Sequence, residues 1–99
     1  MSERKTLAVV GGGIAGLSAA YYAWKKAQDQ DFNLEIQIFE KQDYWGGKIF
    51  TERVEGFVIE GGPDTFIVTK PWGMRLCREL GLEDRLHGTN PEHSSTFVL

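Results

Sequence analysis

Ninety-nine residues, 41% of them hydrophobic and 25% charged, are near the usual size of one soluble domain and can bury a modest core. A formal net charge of -3, with no cluster of lysine and arginine, gives no electrostatic drive toward a nucleic-acid backbone. The single cysteine, Cys77, excludes a disulfide within the chain and is compatible with a reducing compartment.

Met1 to Lys5 reads as a solvated lead-in, and Thr6 to Val10 as a short apolar strand of the kind that parallel sheets bury on both faces. Gly11-Gly12-Gly13-Ile14-Ala15-Gly16 follows and opens a helix predicted over Ile14 to Ala27. Arg4 and Lys5 stand before an uncharged run from Thr6 to Trp24, a pattern that a signal peptide or membrane span would share. Three glycines where such a helix would have its middle argue against that reading. Leu17, Ala20, Trp24 and Ala27 recur at helical spacing, and Ala15, Ser18 and Ala19 are small enough to bring the first turns close to a sheet. Tyr21, Tyr22 and Trp24 read as core and rim aromatics. After a polar connection, Leu34 to Glu40 alternates Leu34, Ile36 and Ile38 with Glu35 and Gln37 and ends on an acid.

Strand, glycine turn, helix, strand and acid together specify a chemistry. A dinucleotide pyrophosphate needs the free backbone N–H groups of a helix N-terminus, where the dipole favours an anion and a side chain would obstruct it. Gly11 then makes the tight turn, Gly13 lets the backbone approach phosphate and Gly16 packs helix on strand, with Ile14 and Ala15 in the same turn. Glu40, 24 residues past Gly16, accepts hydrogen bonds from ribose hydroxyls, and Lys41 beside it is counted with the site.

Beyond Glu40 the pattern changes. A turn-rich passage ends in Gly46-Gly47-Lys48, a second bare backbone placed to close over the same cofactor. Ile49 to Val54 and Phe57 to Glu60 form a predicted hairpin turning at Glu55-Gly56. Gly61-Gly62-Pro63 stops it and offers bare peptide that can lie against a flat ring. A second helix is expected over Pro71 to Leu80, with Thr69 as N-cap, Gly81 as its stop and a further helical turn over Glu83 to Leu86. Cys77 reads as a small buried hydrophobe beside Leu76 and Leu80, His87 and His93 as solvated, and Thr96 to Leu99 as the start of a strand. No histidine, cysteine or carboxylate set has metal-ligand spacing.

The sequence resembles the N-terminal part of an oxygen-dependent protoporphyrinogen or coproporphyrinogen oxidase of the bacterial type. Val9 to Leu17 and Gly46-Gly47-Lys48-Ile49 are shared with the wider amine-oxidase-like flavoprotein superfamily. Gly56-Phe57-Val58-Ile59-Glu60-Gly61-Gly62-Pro63-Asp64-Thr65-Phe66 and Arg78 to Asp84 carry the closer likeness. The resemblance implies an α/β fold: the first βαβ of a Rossmann-like FAD-binding domain, then a β-hairpin and a helix, all within a partial domain over residues 1–99. It implies FAD as cofactor, a porphyrinogen and oxygen as substrates, heme biosynthesis as the setting, and a cytoplasmic location. Some members also contact a membrane surface through regions outside this chain. By motif, Gly11, Gly13 and Gly16 would serve the pyrophosphate, Glu40 the adenosine ribose, Gly46, Gly47 and Lys48 the far side of the phosphates, and Gly61, Gly62 and Pro63 the flavin ring. Lys70 falls where bacterial relatives have basic residues near substrate, against the plain reading of an exposed lysine at a helix start. No acid or base is placed against a reacting carbon, so no catalytic residue is named.

An amine oxidase or carotenoid desaturase would share the first two motifs and differ at Gly61 to Phe66. An NAD-dependent dehydrogenase would continue from Glu40 into a helix and a third parallel strand, whereas glycine pairs and a hairpin follow here. Taken alone, the 99 residues are expected to be a nucleotide-binding module without turnover, prone to self-association through uncovered strand edges.

Overall fold

β1 (Lys5–Val10) and β2 (Leu34–Phe39) pair in parallel from Lys5 opposite Leu34 to Val10 opposite Phe39. A parallel pair needs a crossover, and α1 (Ile14–Asp29) provides it, packing on both strands. The computed structural model describes residues 3–88 and Glu92. Thr96 to Leu99 and His93 therefore lie outside the described residues. The chain divides into two compact units, Met1–Asp64 and Thr65–Leu99.

In the first unit α1 lays Ala20 and Ala27 against the sheet, the two buried hydrophobic side chains among the described residues. Ala15 and Ala19, expected on the sheet side, are exposed, as is Trp24; Tyr21 is half-buried and in edge contact with Tyr22. The two-face burial expected of β1 is not found: Leu7 is exposed, and Val10 is 86% exposed. One helix covers one face, and no other element among the described residues packs on the opposite one.

α1 runs two residues past the expected Ala27, to Asp29. Asp31 takes a φ of 52°, its N–H donates to the Gln28 carbonyl and the Phe32 N–H donates to the Ala27 carbonyl. That pattern is a Schellman closure with aspartate in the left-handed position usually held by glycine.

β3 (Thr51–Val54) and β4 (Phe57–Glu60) form an antiparallel hairpin. Glu55 and Gly56, at φ 50° and 83°, give the two positive φ values of a type I′ turn, whose twist matches the strands. Ile49 and Phe50, expected in the hairpin, precede it, although the Gly61 N–H still reaches the Phe50 carbonyl at 2.8 Å. Every hairpin residue is exposed, Phe57 at 71%.

In the second unit α2 (Pro71–Glu79) has Lys70, not Thr69, as N-cap. Pro71 at the first helical position sets the cap one residue before itself. Leu82 N–H to Cys77 carbonyl and Gly81 N–H to Arg78 carbonyl close its end around Gly81, as the glycine foretold. A 3-10 turn over Glu83–Arg85 follows, tied back by an Arg78–Glu83 ion pair at 3.0 Å. Cys77 is half-buried instead of buried: among the described residues of this unit, the short turn is the element that packs on α2. His87 is exposed, as expected.

Candidate functional site

The site is built where β1 gives way to α1. The Gly11 N–H continues the ladder to the Phe39 carbonyl at 2.7 Å, then a φ of 103° reverses the chain, a conformation side chains disfavour. Gly16 sits one helical turn in, and a Cβ there would overlap the Gly11 carbonyl and touch Val9 Cγ1 at 3.4 Å. The helix start can sit on the turn only because that Cβ is missing. Gly13 is the N-cap and brings no side-chain acceptor, and no acid occupies the first turn. The leading amides of α1 thus keep their donors for an outside acceptor, and the dipole makes an anion the favoured one.

Gly12 is buried and has both peptide groups engaged. Its N–H donates to Glu40 Oε1 at 2.7 Å, and its carbonyl accepts from the Gly46 N–H at 2.8 Å. Glu40 Oε2 accepts from the Gln42 N–H at 2.7 Å. The Gln42 amide foremost, then the Gly12 amide, hold the Glu40 carboxyl below the usual glutamate range, with desolvation opposing and the Lys41 amide adding least. Glu40 therefore ties the glycine turn to the loop after β2 with a carboxylate that stays ionised. Two lone pairs per oxygen leave it capacity for ribose hydroxyls as well.

The same loop brings the second glycine pair onto the first. Gly46 bonds Gly12, and Gly47 comes so close to Gly13 that a Cβ on Gly47 would stand 3.2 Å from the Gly13 Cα. Behind the loop, Gly62 lies against the Lys48 carbonyl.

Two grooves result. One, about 470 Å³, is lined by Gly11, Gly13, Ile14, Ala15 and Gly16 on one side and Gly46, Gly47, Lys48 and Pro63 on the other. A larger one, about 900 Å³, runs along Gly47 and Lys48 to Gly61, Gly62 and Pro63. Lys48 is the cation lining both among the described residues. Glu40 lines neither and stands behind Gly12; Lys41 is exposed and also lines neither. Lys70 belongs to the second unit, exposed at the cap of α2.

Sequence reasoning overlooked the aromatic wall of the larger groove, Tyr44, Trp45 and Phe50. The ring lying against Gly61 is that of Phe50, and the indole of Trp45 lies against Gly12. The available signal was adjacency: aromatics bordering bare glycines, at Trp45-Gly46 for instance, have open Cα surface to pack on.

The family described as NAD(P)-binding Rossmann-like domain matches residues 9–80. The chain is 40% identical over 96 residues to the coproporphyrinogen III oxidase of Bacillus subtilis (strain 168), covering 97% of this chain and 20% of that protein. A protein from Exiguobacterium sp. 255-15 assigned as a protoporphyrinogen oxidase superposes with a TM-score of 0.74 at 40% identity, over 85% of this chain and 18% of its own. Putrescine oxidase superposes with a TM-score of 0.58 at 32% identity, over 78% of this chain and 17% of its own. The chain thus spans about a fifth of the length of the relatives it matches.

Proposed function

The chain belongs to the NAD(P)-binding Rossmann-like domain family, and from that premise we propose that it is the N-terminal FAD-binding part of an oxidase converting a porphyrinogen to a porphyrin with oxygen as acceptor. The observation carrying the proposal is the Gly46-Gly47 pair docked on the Gly12-Gly13 turn, in a chain 40% identical to a coproporphyrinogen III oxidase along nearly its whole length. A dinucleotide site with a second glycine loop closed over the first suits a cofactor held at both ends of its pyrophosphate.

In this reading the α1 amides after Gly13 take the pyrophosphate, Lys48 balances its charge from the facing loop, Glu40 takes the adenosine ribose, and Gly61, Gly62 and Pro63 border the flavin side. When bound, FAD supplies the hydride acceptor, while the protein's part is binding, orientation and exclusion of water. A second reading, an amine-oxidase-like flavoenzyme, draws on the superposition with putrescine oxidase.

The test uses the longer protein that contains this chain, purified and supplied in air with coproporphyrinogen, protoporphyrinogen or an aliphatic amine. A flavin absorption band with porphyrin fluorescence rising above the uncatalysed rate is expected. A flavin band with peroxide released only from the amine would favour the second reading. Absence of flavin together with tight NAD binding would overturn both.

A further inference from the structure

We infer that Trp45 is a further ligand-contacting residue, its indole forming the platform on which the adenine ring of a dinucleotide stacks beside Glu40. The inference rests on the dinucleotide reading above. A Cβ placed on Gly12 would overlap the benzo edge of Trp45 and stand 3.1 Å from Glu40 Oε1, so indole and carboxylate converge on one residue. Trp45 directly precedes Gly46, whose N–H is bonded to Gly12, and Gly12 is held again by Glu40. The peptide that follows Trp45 is thus pinned to the glycine turn, which lowers the cost of ordering the indole around a ligand.

Trp45 is nevertheless 59% exposed, and it lines the larger groove next to Tyr44. Packing against Gly12 involves the benzo part of the ring, and more than half of the residue stays uncovered. A carboxylate able to take vicinal hydroxyls, next to an exposed indole, matches the two ends of a nucleoside, and aromatic rings accept nucleobases by stacking. A ring that merely filled space over Gly12 would affect stability and leave ligand preference untouched.

The experiment titrates the full chain with ADP and, separately, with inorganic pyrophosphate, which engages the glycine turn and lacks a base. Wild type is expected to prefer ADP; Trp45→Leu should cut that preference about tenfold with pyrophosphate affinity unchanged, and Trp45→Phe should retain most of it. Trp24 and Trp72 are the other two of the three tryptophans, so in a Trp24→Phe/Trp72→Phe chain the remaining emission should be quenched by ADP and not by pyrophosphate. Equal losses for both ligands in Trp45→Leu, an unchanged ADP preference, or no quenching would overturn the inference. Should Trp45→Leu fail to fold, the quenching measurement decides alone. If wild type binds neither ligand, the dinucleotide reading itself fails, an outcome distinct from those above.

Discussion

Two residues carry the local geometry of the site in opposite ways, Gly16 by lacking a side chain and Glu40 by having one. Gly16→Ala forces a Cβ into the Gly11 carbonyl, and backbone cannot swing aside as a flexible side chain can. Overpacking of this kind costs about 1–3 kcal/mol, read as a lower urea midpoint together with lost ADP binding. Glu40→Gln replaces one accepting oxygen with an amide that opposes the N–H of Gly12 or Gln42, and should weaken ADP binding about tenfold, in line with loss of a charge-assisted bond. Glu40 also gives stability an acid limit. Its carboxyl is held below the usual glutamate range, so its contribution is full above the unfolded-state value and is lost as pH falls through the lowered one. Urea midpoints measured across the acid range should decline in wild type and flatten there in Glu40→Gln. The turn at Gly11 and the close packing at Gly16 were legible in sequence because each follows from position relative to strand and helix. The bond from Gly12 to Glu40 was not, since it joins groups 28 residues apart whose meeting depends on the register of β1 on β2.

At the scale of the element, punctuation by glycine and proline was readable and punctuation by other residues was not. Gly81 ends α2 where expected, and Gly56 turns the hairpin. Asp31 performs at the end of α1 what Gly81 performs at α2, yet aspartate also suits caps and loops, so its presence in a polar stretch marked no particular residue as the end. Thr69 looked like a cap by type, but the cap position follows from Pro71 and falls to Lys70. Left-handed backbone is costly for aspartate and free for glycine. Asp31→Gly should therefore raise stability by about 0.5–1 kcal/mol, measured by chemical denaturation, whereas Gly81→Ala should lower it. An Asp31→Gly chain no more stable than wild type would mean that the closure of α1 is held by its surroundings instead.

Across the whole molecule, apolar residues recur at the right periods but lack enough neighbours to be buried. Sequence pattern reports the surroundings a strand is suited to, and the continuous apolar run of β1 asks for cover on both faces; α1 supplies one. Val10, Phe39, Phe57, Val58, Ile67 and Trp72 all remain exposed. Exposed apolar side chains in this number seek partners, and among the described residues the edges of β1–β2 and of the hairpin present unpaired backbone. The isolated chain should self-associate, with sedimentation coefficients rising with concentration; a single monomeric boundary at high concentration would contradict that. In the function proposed above, the two glycine loops form one FAD site. Amide NMR of the 15N-labelled chain titrated with FAD tests it most directly, with the largest shifts expected at Gly13, Ile14, Ala15, Gly46, Gly47 and Lys48. Shifts absent at saturating FAD, or confined to α2, would contradict it.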